Sequence, residues 1–119
     1  MDPTLEAVLN ALTAMPWAGG DEVTLQLAVG RALGYAGLHA NREAVLSPRD
    51  RVDWRCAHVA IECKVDGTPP EVSRQLVRYA RHPEIRAVVL VTTQARHAAQ
   101  VPAEIEGRPV CVVLKRHLP

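Results

Sequence analysis

Leu5, Val8, Leu9, Leu12 and Met15 recur at steps of three and four residues, the spacing that gathers apolar side chains on one face of a helix. Pro16 and the Gly19-Gly20 pair end that helix. A second helix is predicted from Asp21, whose short carboxylate suits the first free N–H groups of a helix. Leu25, Ala28, Val29, Ala32, Leu33 and Ala36 form its buried face, and Gly37 stops it. Glu22 stands three residues before Leu25, which aims its carboxylate at the edge of that face. The period then shortens to two. Residues 39–47 alternate loosely as a strand and meet a turn at Ser47-Pro48-Arg49-Asp50. Over residues 51–56, Val52, Trp54 and Cys56 oppose Arg51, Asp53 and Arg55. Over residues 58–65, Val59, Ile61, Cys63 and Val65 oppose His58, Ala60, Glu62 and Lys64. The pattern predicts a hairpin with one oily face and one face carrying two acids and a lysine.

Asp66-Gly67-Thr68-Pro69-Pro70 is a turn into a third helix, predicted from Pro70 to about Arg81. Its inward set is Val72, Leu76, Tyr79 and Ala80, while Arg74, Arg78 and Arg81 make a basic stripe. The β-branched runs at 86–92 and 109–114 are strands of the kind covered on both sides, with a short helix between them at 94–100. This order of elements predicts an α/β fold with a mixed central β-sheet flanked by helices. A chain of 119 residues suits one core. The expected organisation is a single domain over 1–119, with the core at 21–115 and the first helix, within 1–18, appended to it.

Composition narrows the function classes. With 48% apolar and 23% charged residues the chain matches a globular domain rather than a disordered or membrane one. Its longest apolar runs, at 87–91 and 110–114, fall far short of the roughly 20 residues of a membrane span. The N-terminus carries Glu6 before any basic residue, unlike a secretory signal, so a cytoplasmic protein is expected. Cys56, Cys63 and Cys111 lack zinc-type spacing and read as reduced core thiols. Neither a nucleophile pair nor a glycine-rich phosphate loop is present, and His58, His82 and His97 read as surface residues. A net charge of +1 means that any nucleic-acid contact must be local. Of the 14 basic residues only Lys64 and Lys115 are lysines, so a lysine at position 64 is informative.

Asp53 and Glu62 on one face of adjacent strands bring two carboxylates together, an arrangement that costs stability unless a cation lies between them. Carboxylate oxygens and water suit Mg²⁺, or Mn²⁺ in its place. Glu22 offers a third carboxylate, and Lys64 places an ammonium where it can hold an attacking water or offset charge on a phosphate.

The run Val52-Asp53, then Val59-Ala60-Ile61-Glu62-Cys63-Lys64, preceded by Glu22 at the head of a helix, resembles the PD-(D/E)xK nuclease superfamily. The likeness covers roughly residues 21–92, with Val52 where the family name has proline. It implies a restriction-endonuclease-like α/β/α core, metal ligation by Glu22, Asp53 and Glu62, and a catalytic Lys64. A short stand-alone chain with a glutamate on its first core helix is similar to the archaeal-type Holliday junction resolvases. That similarity implies an Mg²⁺-dependent endodeoxyribonuclease of DNA recombination and repair, a homodimer that hydrolyses phosphodiester bonds in four-way or other branched DNA. Gln75 and Tyr79, one helical turn apart, resemble the QxxxY pattern of RecB-like and Cas4-like nucleases. This places Gln75 in the catalytic set and makes single-stranded ends or flaps the alternative substrate. A different class of reading is a silent nuclease fold used only for DNA binding or assembly. Arg42, Arg51, Arg55, Arg74, Arg78 and Arg81 are the candidate phosphate contacts.

Overall fold

A computed structural model describes residues 1–116. Asp2 caps α1 (Pro3–Ala14) by accepting from the N–H groups of Thr4 and Leu5, and Asp21 caps α2 (Glu22–Tyr35) by accepting from Thr24. The strands β1 (Asn41–Val45), β2 (Arg51–Cys56) and β3 (Val59–Lys64) follow as an antiparallel meander. Thr68 and Glu71 form a reciprocal cap at the head of α3 (Pro69–Ala80), with prolines in its first turn where no N–H is needed. Next come β4 (Ala87–Thr92), α4 (Ala95–Gln100), β5 (Glu104–Ile105) and β6 (Arg108–Leu114). The sheet order is β1-β2-β3-β4-β6-β5, with β3, β4 and β6 parallel and the remaining pairs antiparallel. This is an α/β architecture with a mixed six-stranded sheet flanked by helices. None of the described helices is long and apolar enough to cross a membrane.

Each face of the sheet carries its own core. Leu25, Val29 and Leu33 of α2 pack over Val59, Ile61, Cys63, Val89 and Val91, while Val72, Leu76 and Tyr79 of α3 pack over Val52, Ala60, Val88 and Leu90. The first helix corrects its expected role as an appendage. Leu5, Val8, Leu12 and Met15 are buried in the same cluster as α2, because a stripe this apolar finds its partner in the sheet below rather than in solvent. The hairpin differs from expectation as well. All of β3 is buried except Lys64, so the face bearing the acids is not open but lies beneath α3.

Trp54 explains a glycine in the middle of α2. A Cβ on Gly30 would lie 2.4 Å from Cζ2 and 2.7 Å from Cη2 of Trp54, whose indole N–H is pinned to the Gln26 carbonyl at 2.9 Å. The ring cannot swing aside without breaking that bond. Gly30→Ala is therefore expected to cost about 1–3 kcal/mol through overpacking. Gly34, in the same helix, has open space around it, and Gly34→Ala should stabilise by about 0.5–1 kcal/mol. Thermal unfolding of the two variants should move in opposite directions, and a Gly30→Ala protein as stable as the parent would refute the close helix–strand contact.

The loop after β3 is tied down by His97, which is fully buried rather than at the surface as its sequence position suggested. Its Nδ1 lies 2.7 Å from the Thr92 hydroxyl and its Nε2 2.7 Å from the Gly67 carbonyl. The Gly67 carbonyl can only accept, so Nε2 donates to it, while Nδ1 faces the Thr92 hydroxyl. Gln94 adds a bond of 2.8 Å from its amide to the Val65 carbonyl, so α4 holds the chain immediately beyond Lys64.

Candidate active site

The β2–β3 ladder stops short. Cys56, Arg55 and Trp54 pair with Val59, Ala60 and Ile61, but the next pair, Asp53 with Glu62, is missing. On the other side of β2, Glu43 is skipped between Arg42↔Trp54 and Ala44↔Val52, and Glu43 has φ 50°, a left-handed conformation that side chains seldom adopt. Glu43 lies opposite Asp53 and the register is the same on either side of them, so the two positions leave the ladder together and the irregularity crosses both strands at the level of Asp53. It also shifts the phase of β2: Val52 packs in the α3-side core, whereas Trp54 and Cys56 pack on the α2 side. Strict alternation placed all three on one face, and the slip at Asp53 separates them.

Carboxylates take over the N–H groups that the ladder releases. Asp53 Oδ2 accepts from the Cys63 N–H at 2.8 Å, and Glu62 Oε1 accepts from the Asp53 N–H at 3.3 Å. Two residues along β3, on the same strand edge, the Val65 N–H donates to Glu22 Oε1 at 3.4 Å. Lys64 Nζ stands 3.6 Å from Glu62 Oε2. Asp53, Glu62 and Lys64 are brought together, and Glu22 lies alongside from the first turn of α2. Among the described residues no three acidic, histidine or cysteine side chains close into a ready-made metal cage.

Burial dominates the electrostatics. Glu62, only 3% exposed, has its carboxyl pushed from an ordinary 4.5 up to about 8, by desolvation first and by the neighbouring Asp53 charge second, against the pull of Lys64. Asp53 is raised too, again chiefly by burial, with Glu22 adding repulsion and the Cys63 N–H opposing it. Burial and the surrounding acids push the Cys63 thiol well up, so the middle residue of the ExK triplet is an inert packing group. The two carboxyls resist ionising side by side, and a cation placed between them would favour their charged forms.

Gln75 reaches this centre only through Tyr79. Its amide donates to the Tyr79 hydroxyl at 2.8 Å, and that hydroxyl lies 3.2 Å from the Arg51 carbonyl and 3.5 Å from Glu62 Oε2, donating to one of them at a time. Burial, with Glu62 nearby, raises the phenol and keeps it a donor. Gln26 escaped the sequence reading. One turn after Glu22 on α2, its amide donates to Asp53 Oδ1 at 3.3 Å and its oxygen accepts from Arg42 at 3.2 Å. The four-residue step from Glu22 was the available signal, since it places both side chains on one helix edge.

The candidate phosphate contacts divide. Arg78 pairs with the buried Asp50 at 2.9 Å, Arg81 pairs with Glu106 at 3.1 Å, and Arg55 donates to the Ala57 carbonyl at 2.7 Å. The expected stripe is therefore broken: Asp50 needs charge partners and takes both Arg78 and His82. Arg51 and Arg74 are exposed with no side-chain partner among the described residues, and Arg42 joins the site through Gln26. Comparison of the chain with protein-family models, with curated proteins and with solved structures finds no match in any of the three.

Proposed function

We propose that the protein is a divalent-metal-dependent deoxyribonuclease with a restriction-endonuclease-like core, hydrolysing phosphodiester bonds in branched DNA. One observation carries the reading: Asp53 and Glu62 meet where β2 parts from β3, with Lys64 3.6 Å from Glu62. The donor set fits the metal, because it is all oxygen and its charge is unbalanced, which suits Mg²⁺ or Mn²⁺ rather than zinc. Asp53 and Glu62 would hold the ion, and Glu22 would complete the set. When bound, such an ion supplies Lewis-acid polarisation of a phosphate and a more acidic water. Lys64 then offsets charge building on the phosphate oxygens or orients the water. Gln26 and the Cys63 N–H hold Asp53 in place, and Tyr79 holds Glu62.

A homodimeric Holliday junction resolvase is the form of this activity we favour, since Glu22 at the head of α2 stands beside the acids as the resemblance to those resolvases implies, and a two-fold substrate suits a two-fold enzyme. The contact from Gln75 through Tyr79 to Glu62 favours a second form, cleavage of single-stranded ends or flaps. Incubating junction, flap, duplex and single-stranded DNA side by side with the protein and Mg²⁺ separates these forms. Intact DNA in all four at high enzyme concentration would overturn the proposal and leave the silent binding module. Sedimentation of the DNA-free protein tests the dimer.

Gln26 provides a further test. Gln26→Ala is expected to slow cleavage about 10-fold, because it frees Asp53 Oδ1, and to weaken DNA binding only as far as the released Arg42 contributes to it. A drop in affinity with an unchanged rate would instead mark Gln26 as a DNA contact.

A further inference from the structure

Lys64, Thr92 and Leu114 stand abreast, as register partners at the carboxyl ends of the parallel strands β3, β4 and β6. Immediately beyond them lies an open pocket of about 510 Å³, lined by Trp17, Gly19, Gly20, Thr93, Lys115 and Arg116. Its size is that of a ligand site, and the carboxyl ends of parallel strands are where open α/β sheets place one.

The lining has a specific chemistry. Trp17 rests partly on the α1–α2 core and is half-buried, a supported indole bordering the pocket. Lys115 is 8% exposed, and its Nζ donates to the carbonyls of Thr13 and Met15 at 3.0 and 2.7 Å. No carboxylate pairs with it among the described residues, so it is a positive charge held in place by neutral groups. Arg116 is exposed beside it, and no acidic residue lines the pocket among the described residues. Gly19 and Gly20 have φ of 91° and 140°, and the Cβ position of Gly20 is closed by Thr24 at 2.8 Å, so these glycines serve the turn into α2. An aromatic surface with an exposed guanidinium and a buried ammonium beside it matches a base together with its phosphate. Only an unpaired base can present its flat face to an indole, since in a duplex that face is already stacked.

We infer that this pocket seats an unpaired nucleotide of the substrate strand, its base against Trp17 and its phosphate against Arg116, with the Lys115 ammonium acting from behind, where the Thr13 and Met15 carbonyls hold it. The inference rests on the nuclease reading for its choice of ligand. Two strand spacings, about 10 Å, separate Lys64 from Leu114, so the seated nucleotide lies within a few nucleotides of the bond to be cut. The substrate therefore carries single-stranded character next to the cleavage point, as a flap, an end or an opened junction arm does and a uniform duplex does not.

The test measures binding apart from cleavage. In a Glu62→Gln protein without divalent metal, fluorescence anisotropy follows a labelled dT12 strand and a labelled 12-base-pair duplex. Trp17→Leu and Arg116→Glu, each added to that background, should weaken dT12 binding about 10-fold and duplex binding less than 2-fold. Trp17→Phe, which keeps an aromatic face, should restore most of the affinity, and a circular dichroism spectrum and Tm matching the parent verify that it folds. Arg116 is exposed, so its variant tests the pocket independently of folding. Equal losses on both DNAs, or no loss on either, would overturn the pocket and leave the nuclease reading untouched. Tight, Trp17-dependent dT12 binding by a protein that cuts none of the four DNA substrates would overturn the nuclease reading and leave the pocket standing.

Discussion

Glu62→Gln is expected to abolish cleavage while raising the melting temperature of the metal-free protein. The loss follows from the proposed role of the carboxylate: an amide is neutral and a weak metal ligand, so the rate should fall by more than roughly 10²-fold. The stability gain follows from burial. At pH 7–8 a side chain 3% exposed, beside Asp53 and beneath α3, is penalised for ionising. An isosteric amide escapes that penalty, still accepts from the Asp53 N–H, and leaves Lys64 free to meet solvent at its 20% exposed side chain. A gain on the order of 2 kcal/mol, or roughly 5–10 °C in Tm, is the expected size. Asp53→Asn should abolish cleavage as well but stabilise less, because Asp53 accepts through both oxygens, from Cys63 and from Gln26, and an amide keeps only one acceptor. DNA binding by either variant should be intact or tighter, as negative charge is removed from a phosphate site. Unchanged cleavage would defeat the assignment, and a lowered Tm for Glu62→Gln would show that the site is not under electrostatic strain.

Adding Mg²⁺ or Mn²⁺ at pH 8 is expected to raise Tm, and the same addition at pH 5 to change it little. Glu62 and Asp53 both have folded-state values above their unfolded ones, Glu62 at about 8 against 4.5. Their contribution to stability is complete below the unfolded value and is lost as the pH rises through the folded one. The metal-free protein should therefore become less stable between about pH 4.5 and 8. A cation binds the ionised pair, so it restores stability at the alkaline end and displaces protons as it does so. Asp50 works in the opposite sense and in another range. His82 above all, and then Arg78, hold its carboxyl below 3.8, so its contribution fails only under stronger acid. Calorimetric scans from about pH 2 to 9, with and without metal, resolve the two effects. A metal response independent of pH would place the ion away from these acids, and no response at millimolar Mg²⁺ or Mn²⁺ would favour the silent module.

How much of this was legible beforehand depends on the range of the forces involved. The period-3.6 stripes of α2 and α3, the cap at Asp21, the proline start of α3 and the β-branched runs of β4 and β6 were readable, because caps and periodicity are local properties. The same local reading put Asp53, Glu62 and Lys64 on one hairpin. It failed where neighbours distant in sequence decide. His97 looked like a surface residue until Gly67 and Thr92 enclosed it, and α1 looked like an appendage until the sheet provided its partner. Arg78 and Arg81 were read as a free basic stripe, and only the tertiary structure supplies Asp50 and Glu106 as their ion-pair partners.

By itself the sequence determined every element type except the two-residue strand β5, most of the boundaries, and which residues carry charge on the strands that meet at Asp53 and Glu62. Only the tertiary structure decided that β2 leaves its ladder at Asp53, that carboxylates fill the vacated hydrogen bonds, and that Gln26 and Tyr79 close in from two helices on opposite faces of the sheet. The reason is physical. Alternation along a strand depends on neighbouring residues alone, but a break in pairing depends on what replaces the lost bonds, and here the replacements come from groups as far away in the chain as Glu22.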